Sequence, residues 1–575
     1  MQHSLIALSK AFGIKASTER RVKEKDDFKI LRNLCYKVFS PNKPTHINMA
    51  RRRLTNFSKF LITLLIVGGA YFGFTQLQKS GMLDQYLDNN GQTEQTGKKS
   101  SKAKKSSSKS DEDVIKVGVV TWGGYAGGQY FNEGFEATEE SRFYKDYGFK
   151  VEFQVLDDFD PSRNAFRAGD VDLLWTTIDA FPTEVNGLKD FDPVILFQAD
   201  WSRGGDAIVA RAGISKVSDL KGKKIAVAEM TPSHSFLLWL LDAGGLNQKD
   251  VEIIPQPSAI DAAEVFKSRR VDAAVVWSPD DILCTKAVPG SRILESTRSA
   301  SYIIADAFVA KREFVEANKE RMQELYEGWM KGAAEINSDP AARKKAAEIL
   351  AREFTERGTA LSAEEADQMI GNVRLVTHGD NKNFFGLNTN YKGVNGNSLY
   401  SRMGNVYTDQ GYIDSRVPTW RQIAYPSLVM NTTLTAPEHF AEAKKEFTKV
   451  EEKDARNKEA IATKRVSIKF ATGKFQLEEN AKYIIDKEFV DIAKAFGNSR
   501  IRIEGNTDNV GSRSSNIALS KKRAQAVADY LVAVHDMSPN RFIVIGNGPD
   551  KPVANNKTED GRSQNRRTDF ELVKE

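Results

Sequence analysis

From residue 114 onward, short apolar runs alternate with longer stretches whose apolar positions recur at helical spacing. Strand-like runs lie at 115–120, 150–155, 171–175 and 194–197, with helix-like segments at 129–135 and 163–167. Strand, helix and strand in repetition predict a parallel α/β sheet, with ligand groups at the C-terminal ends of its strands. Another such run, 224–227, leads into an apolar helix. Near the C-terminus a smaller set follows: strands at 466–470, 500–504 and 541–545, a helix at 483–496, and a second helix from about residue 514 with Ile517, Ala524, Val527, Ala528 and Leu531 on one face. Between the two sets, Phe440, Ala443, Phe447 and Val450 recur at intervals of three and four amid mixed charge, which predicts a helical connector over 436–464.

Ahead of residue 114 this alternation is absent. Residues 57–77 form a nearly unbroken apolar run, and about 20 residues at 1.5 Å each span roughly 30 Å of hydrocarbon. Arg51, Arg52, Arg53 and Lys59 hold the preceding side in the cytoplasm, so the rest of the chain is expected in the periplasm, behind a single-pass inner-membrane anchor, the alternative being a signal peptide cleaved at the poor site Gly68-Gly69-Ala70. Residues 1–56 are then a cytoplasmic basic segment, within which Met49 offers a second start; residues 78–113, rich in Ser and Lys, are a low-complexity tether reaching about 30 Å.

Composition narrows the function classes. A chain of 575 residues exceeds one core and implies several domains. The formal charge of +6 concentrates in the N-terminal segment and the tether, which argues against nucleic acid as a partner of the main domains. Cys35 and Cys284 lie on opposite sides of the apolar run, so no intramolecular disulfide is expected. No His, Cys and carboxylate set has metal-ligand spacing and no nucleophile elbow occurs, so the chain reads as a binding protein without metal or cofactor, not an enzyme.

Two stretches carry binding chemistry. At Gly505-Asn506-Thr507-Asp508 a polar turn follows a strand, and on the next helix Asn516, Ser520 and Arg523 share a face. A carboxylate beside a guanidinium suits a zwitterion, the alternative being a cap and a solvated Arg. With Gly546-Asn547-Gly548, Pro552, Asn556, Thr558 and Gly561-Arg562-Ser563-Gln564-Asn565-Arg566-Arg567, the segment 465–575 resembles the OmpA-like peptidoglycan-binding domain, an α+β fold. That resemblance implies that Asp508 and Arg523 hold diaminopimelate of the wall stem peptide, with Thr507, Asn516, Leu519 and Arg567 around them; Asn506 stands where the family often has His.

The second stretch is the α/β region itself. Gly169-Asp170-Val171-Asp172, Trp201-Ser202-Arg203-Gly204-Gly205-Asp206, residues 220–227 and residues 271–277 resemble the periplasmic substrate-binding proteins of nitrate, sulfonate and taurine ABC importers. The resemblance implies a two-lobed, type II-like domain over 114–435, with crossings near 207–211 and 302–310 and a second lobe of about 212–301. Strand ends supply Trp122, Tyr125, Trp175, Thr176, Trp201 and Trp277 as cleft candidates, with plain core packing as the alternative for the tryptophans. Thr231, Ser233 and His234 open the apolar helix and form either an anion site or a plain cap. Arg203 suits an anionic ligand, whereas Asp179, Asp206 and Asp280 suit an amine, and ligand charge stays open. The expected whole is a multidomain α/β protein that captures a small-molecule solute and grips peptidoglycan, as receptor for an importer or as an envelope ligand sensor. The alternative is a stator-like coupler linking a motor-like inner-membrane complex to the wall, although residues 60–77 hold no acidic residue to carry an ion.

Overall fold

The computed structural model describes residues 114–573, except 469 and 472. The basic segment, transmembrane anchor and tether expected over 1–113 lie outside the described residues, and among the described residues no helix is long and apolar enough to cross a membrane. In chain order, β1 (Val114–Val119), β2 (Lys150–Val155), β3 (Leu173–Thr177) and β4 (Pro193–Ser202) begin the first lobe. The second lobe holds β5 (Asp206–Ala210), β6 (Lys224–Ala228), β7 (Glu252–Gln256), β8 (Ala273–Trp277) and β9 (Arg292–Ser296). The chain then returns for β10 (Ala305–Lys311) and β11 (Val373–Leu375). The first sheet runs β11-β4-β10-β3-β1-β2 and the second β7-β6-β8-β5-β9. β1 pairs parallel with β2 and β3, while β10 is antiparallel to both β3 and β4. Every residue of β3 and β4 is buried, as expected for strands covered on both faces.

The crossings fall at 203–205 and 297–304, earlier than the sequence pattern suggests. Asp206–Ala210 pairs along its whole length with β8 and β9, so this buried run belongs inside the second sheet and the polar Gly204-Gly205 pair makes the crossing. A Cβ on Gly205 would stand 1.9 Å from the Trp122 ring, so the crossing and that indole fit only around glycine.

The expected helical connector is mostly extended. Only a 3-10 turn at Pro437–His439 and a six-residue helix, Glu452–Asn457, interrupt it. Tertiary contacts outcompete helix propensity there: Thr377 Oγ1 donates to the Phe440 carbonyl at 2.8 Å, the Glu442 N–H donates to Asp380 at 2.7 Å, and buried Phe447 lies under the guanidinium groups of Arg500 and Arg541.

The C-terminal domain adds β12 (Ala460–Val466), β13 (Arg500–Asn506), β14 (Phe542–Gly548) and β15 (Thr568–Val573) in the order β12-β15-β13-β14. β12 lies earlier than the expected 466–470, and β15, which sequence periodicity had not singled out, separates it from β13. The long helix Arg513–His535 packs on β13 and β14 through Ala524, Val527, Ala528 and Leu531. Its backbone comes so close that a Cβ on Gly505 would lie 2.2 Å from the Ser520 carbonyl oxygen. Gly505→Ala is therefore expected to destabilise this domain by about 3 kcal/mol, measured as a lowered denaturant midpoint.

The C-terminal domain touches both sides of the two-lobed domain. Arg402, on the Gly396–Asp409 helix that packs against the first-lobe helix Phe181–Leu188, donates to Asp242 of the second lobe at 2.7 Å and to Asp491 of the C-terminal domain at 2.9 Å. Lys464 of β12 closes the network on Asp242. At the crossing, the Tyr302 N–H donates to the Ala495 carbonyl at 3.0 Å.

Candidate functional site

In the C-terminal domain, β13 delivers the 507–508 turn to the N-terminal half of the Arg513–His535 helix, which Ser512 caps by accepting the Ser515 N–H. Between them opens a cleft of about 810 Å³ lined by Phe470, Asp508, Asn516, Leu519, Arg523 and Arg566, among others. Asp508 is 9% exposed; it accepts the Val510 N–H at 3.0 Å and an Arg566 N–H at 2.7 Å. Arg523 lies over the Phe470 ring at 4.9 Å and donates from Nε to the Lys474 carbonyl at 3.1 Å. Among the described residues its two terminal nitrogens make no hydrogen bond, so they remain available to the cleft. Burial lowers the Arg523 pKa, with Asp508 opposing and Arg566 reinforcing the shift. An Arg nevertheless stays charged near neutrality.

The other residues expected here divide into wall and floor. Leu519 lines the cleft; Asn516 donates to the Val510 carbonyl and Thr507 to the Asp508 carbonyl, so both hold the turn. Arg567 also lines the cleft, yet its guanidinium forks onto Asp569 at 2.9 and 3.1 Å and reaches the Lys551 carbonyl, which assigns it to the floor rather than to a ligand. Asn506 belongs to the same buried network, bonded to Asp569 and Asn547. Sequence reasoning missed Arg566 as the partner of Asp508, although it stands beside Arg567 in the basic run.

Between the lobes, strand register does the positioning. Asp306 on β10 is the direct partner of Thr177 on β3 and of Asp200 on β4, so the three side chains stand in a row on one face. Asp206 opens β5 opposite Trp277, and Asp179 sits in the turn after β3. Tyr125 donates to Asp306 at 2.6 Å, the Trp122 indole to Asp200 at 3.0 Å, and Ser202 to Asp206 at 2.7 Å. Neither oxygen of Asp179 has a hydrogen-bond partner; Ser235 is near enough to favour its charged form but outside bonding geometry. Burial pushes Asp179 and Asp206 up to about 7. Asp200 and Asp306 also rise, from burial first and then from their neighbouring carboxylates.

The remaining cleft candidates separate. Trp175 stacks edge-on with Phe159 and carries Arg163 at 4.3 Å, Thr176 approaches Glu184, and Trp201 packs edge-on against Tyr302. Arg203 is not a ligand clamp: its fork holds Glu442 at 3.0 and 2.8 Å and its Nε donates to the Ser301 carbonyl, because the connector runs past this point. Nor does the start of the Pro232–Ala243 helix lie open to an anion. Tyr407 covers it, bonding Ser235 at 2.8 Å, while Thr231 turns back to the Ala228 carbonyl. Ser233 is fully buried, and its hydroxyl has no partner among the described residues. His234 accepts the Met230 N–H and sits between Tyr407 and Tyr412, where burial lowers its pKa to about 4 and keeps it neutral. Asp280 lies outside the row, near Lys267 at 3.7 Å. Asp200 and Asp306 went unnoticed in the sequence, where each is a carboxylate inside an otherwise apolar strand.

Comparisons with known proteins agree with this division. Residues 469–566 match the OmpA family model and residues 134–343 match the NMT1/THI5 like model. The peptidoglycan-binding protein ArfA of Mycobacterium tuberculosis is 43% identical over 90 residues, 16% of this chain and 27% of ArfA. A Brucella abortus protein named as a binding protein is 32% identical over 125 residues, 21% of this chain and 38% of its own length. The chain thus spans from about a quarter to about half of the length of the curated relatives it matches. Among solved structures, the periplasmic aliphatic sulphonate binding protein SsuA of Escherichia coli aligns over 56% of this chain and 99% of its own at 19% identity, with a TM-score of 0.43. The chain carries an NMT1/THI5-like domain in its middle and an OmpA-family domain at its C-terminal end.

Proposed function

We propose that this protein is a solute-binding protein of the cell envelope that grips peptidoglycan through its C-terminal domain. It works in the periplasm, with residues 57–77 as an inner-membrane anchor, and hands its solute to an importer or reports its capture. The observation that carries the wall assignment is that Asp508 and Arg523, opposite charges and both partly desolvated, line one cleft, which suits the amino and carboxyl groups of a zwitterion such as diaminopimelate. The name of ArfA supports the same reading. The solute assignment rests on two sheets joined by two crossings, with polar side chains from both lobes meeting at the junction. The full chain is expected to co-sediment saturably with diaminopimelate-containing sacculi and to be displaced by free diaminopimelate. Failure to sediment would overturn the wall assignment.

A further inference from the structure

We propose that the interlobe site takes a small organic cation, an ammonium or guanidinium group on an apolar frame, held by Asp179, Asp200, Asp206 and Asp306. The inference deepens the solute-binding reading and rests on it. These carboxylates come from both lobes, all are at most 5% exposed, and among the described residues no Lys, Arg or His forms an ion pair with any of them. A buried carboxylate is normally paired or hydrogen-bonded, and Asp179 is neither. The hydroxyls of Thr177 and Ser233, also buried, likewise lack partners.

The groups that would favour an anion are already engaged. Arg203 is forked onto Glu442, Arg163 donates from Nε to Glu184 at 2.5 Å and from Nη1 to Ser162 at 2.9 Å, and the start of the Pro232–Ala243 helix lies under Tyr407 with Asp179 nearby. An anion entering here would meet four carboxylates against the Arg163 guanidinium, which Glu184 already neutralises, whereas an ammonium meets acceptors on more than one side. Among the described residues no set of three or more His, Cys, Asp or Glu side chains could hold a metal ion. Trp122 and Trp277, both partly exposed beside Asp200 and Asp206, suit such a frame: aromatic faces attract cations and cover apolar carbon. A cation held by both Asp306 of the first lobe and Asp206 of the second would bridge the lobes and favour the arrangement in which they meet.

The test is isothermal titration of the full chain with putrescine, agmatine, taurine and nitrate, alongside the Asp179→Asn and Asp306→Asn variants. At least one of the two cations is expected to bind, with proton release detectable between buffers of different ionisation enthalpy, and each variant is expected to weaken it about 100-fold. The Asn side chains keep the volume and remove the carboxylate, and a cooperative thermal transition with retained sacculus co-sedimentation would show that the variants fold. Binding of taurine or nitrate with silence from both cations would overturn the charge assignment and leave solute binding intact. Silence from all four would overturn both.

Discussion

Arg523→Ala is expected to reduce sacculus co-sedimentation to background, and Asp508→Ala to do the same. Each removes the protein's partner for one pole of a two-pole ligand and leaves that pole desolvated and unpaired in the cleft. Losses of that kind amount to about 3 kcal/mol, or roughly 100-fold in affinity. Neither change should unfold the domain, because the helix keeps its buried face of Ala524, Val527, Ala528 and Leu531 and the turn keeps its Asn516 bond. Arg566→Gln separates binding from pairing. Arg566 neutralises Asp508 in the empty cleft and also holds Glu559, so it competes with a ligand ammonium for the same oxygen. Its loss is expected to change affinity by less than about tenfold. A collapse of binding in Arg566→Gln, with Arg523→Ala unaffected, would show that Arg566 is the carboxylate clamp.

The second large effect is an inverted pH dependence of stability. Asp179 and Asp206 have folded-state pKa values near 7 against an ordinary 3.8, so the folded chain holds more protons than the unfolded one between those limits. Stability from this source falls as pH rises through that window and is fully lost above it, with a ceiling of about 4 kcal/mol per group. Buried His234 and His378 act oppositely: their folded values near 4 make stability rise with pH between 4 and 6.5. Above pH 6.5 the imidazole contribution is complete and the carboxylates dominate. Denaturant unfolding is therefore expected to show a loss of roughly 1 to 3 kcal/mol between pH 6.5 and 8. Asp179→Asn should flatten that slope and raise stability at pH 8; an unchanged slope would mean that Asp179 is charged in the folded protein at neutral pH.

Much of the architecture was legible because it is local. The strands over 114–155 and the long C-terminal helix follow from periodicity that tertiary contacts do not override. The connector failed for the converse reason: its helical spacing is real, but the backbones of Phe440 and Glu442 find side-chain partners on Thr377 and Asp380, more than sixty positions away in sequence. Register explains the incomplete reading of the sites. Asp508 and Arg523 are close in sequence and one helix brings them together, whereas Asp200 and Asp306 meet only because β10 inserts between β3 and β4. Arg203 was misread because its partner, Glu442, lies on the segment whose path the sequence did not reveal.

The Asp242 network has a mechanical corollary. Arg402 and Lys464 both reach Asp242, and Arg402 also holds Asp491, so the C-terminal domain is fastened at once to the second lobe and to the helix riding on the first. The lobes cannot swing apart without severing one of these fastenings. Whichever gives way, the C-terminal domain travels with one lobe, and the cleft around Asp508 is displaced relative to the other. Any change in the angle between the lobes would therefore carry the Asp508 cleft away from one of them.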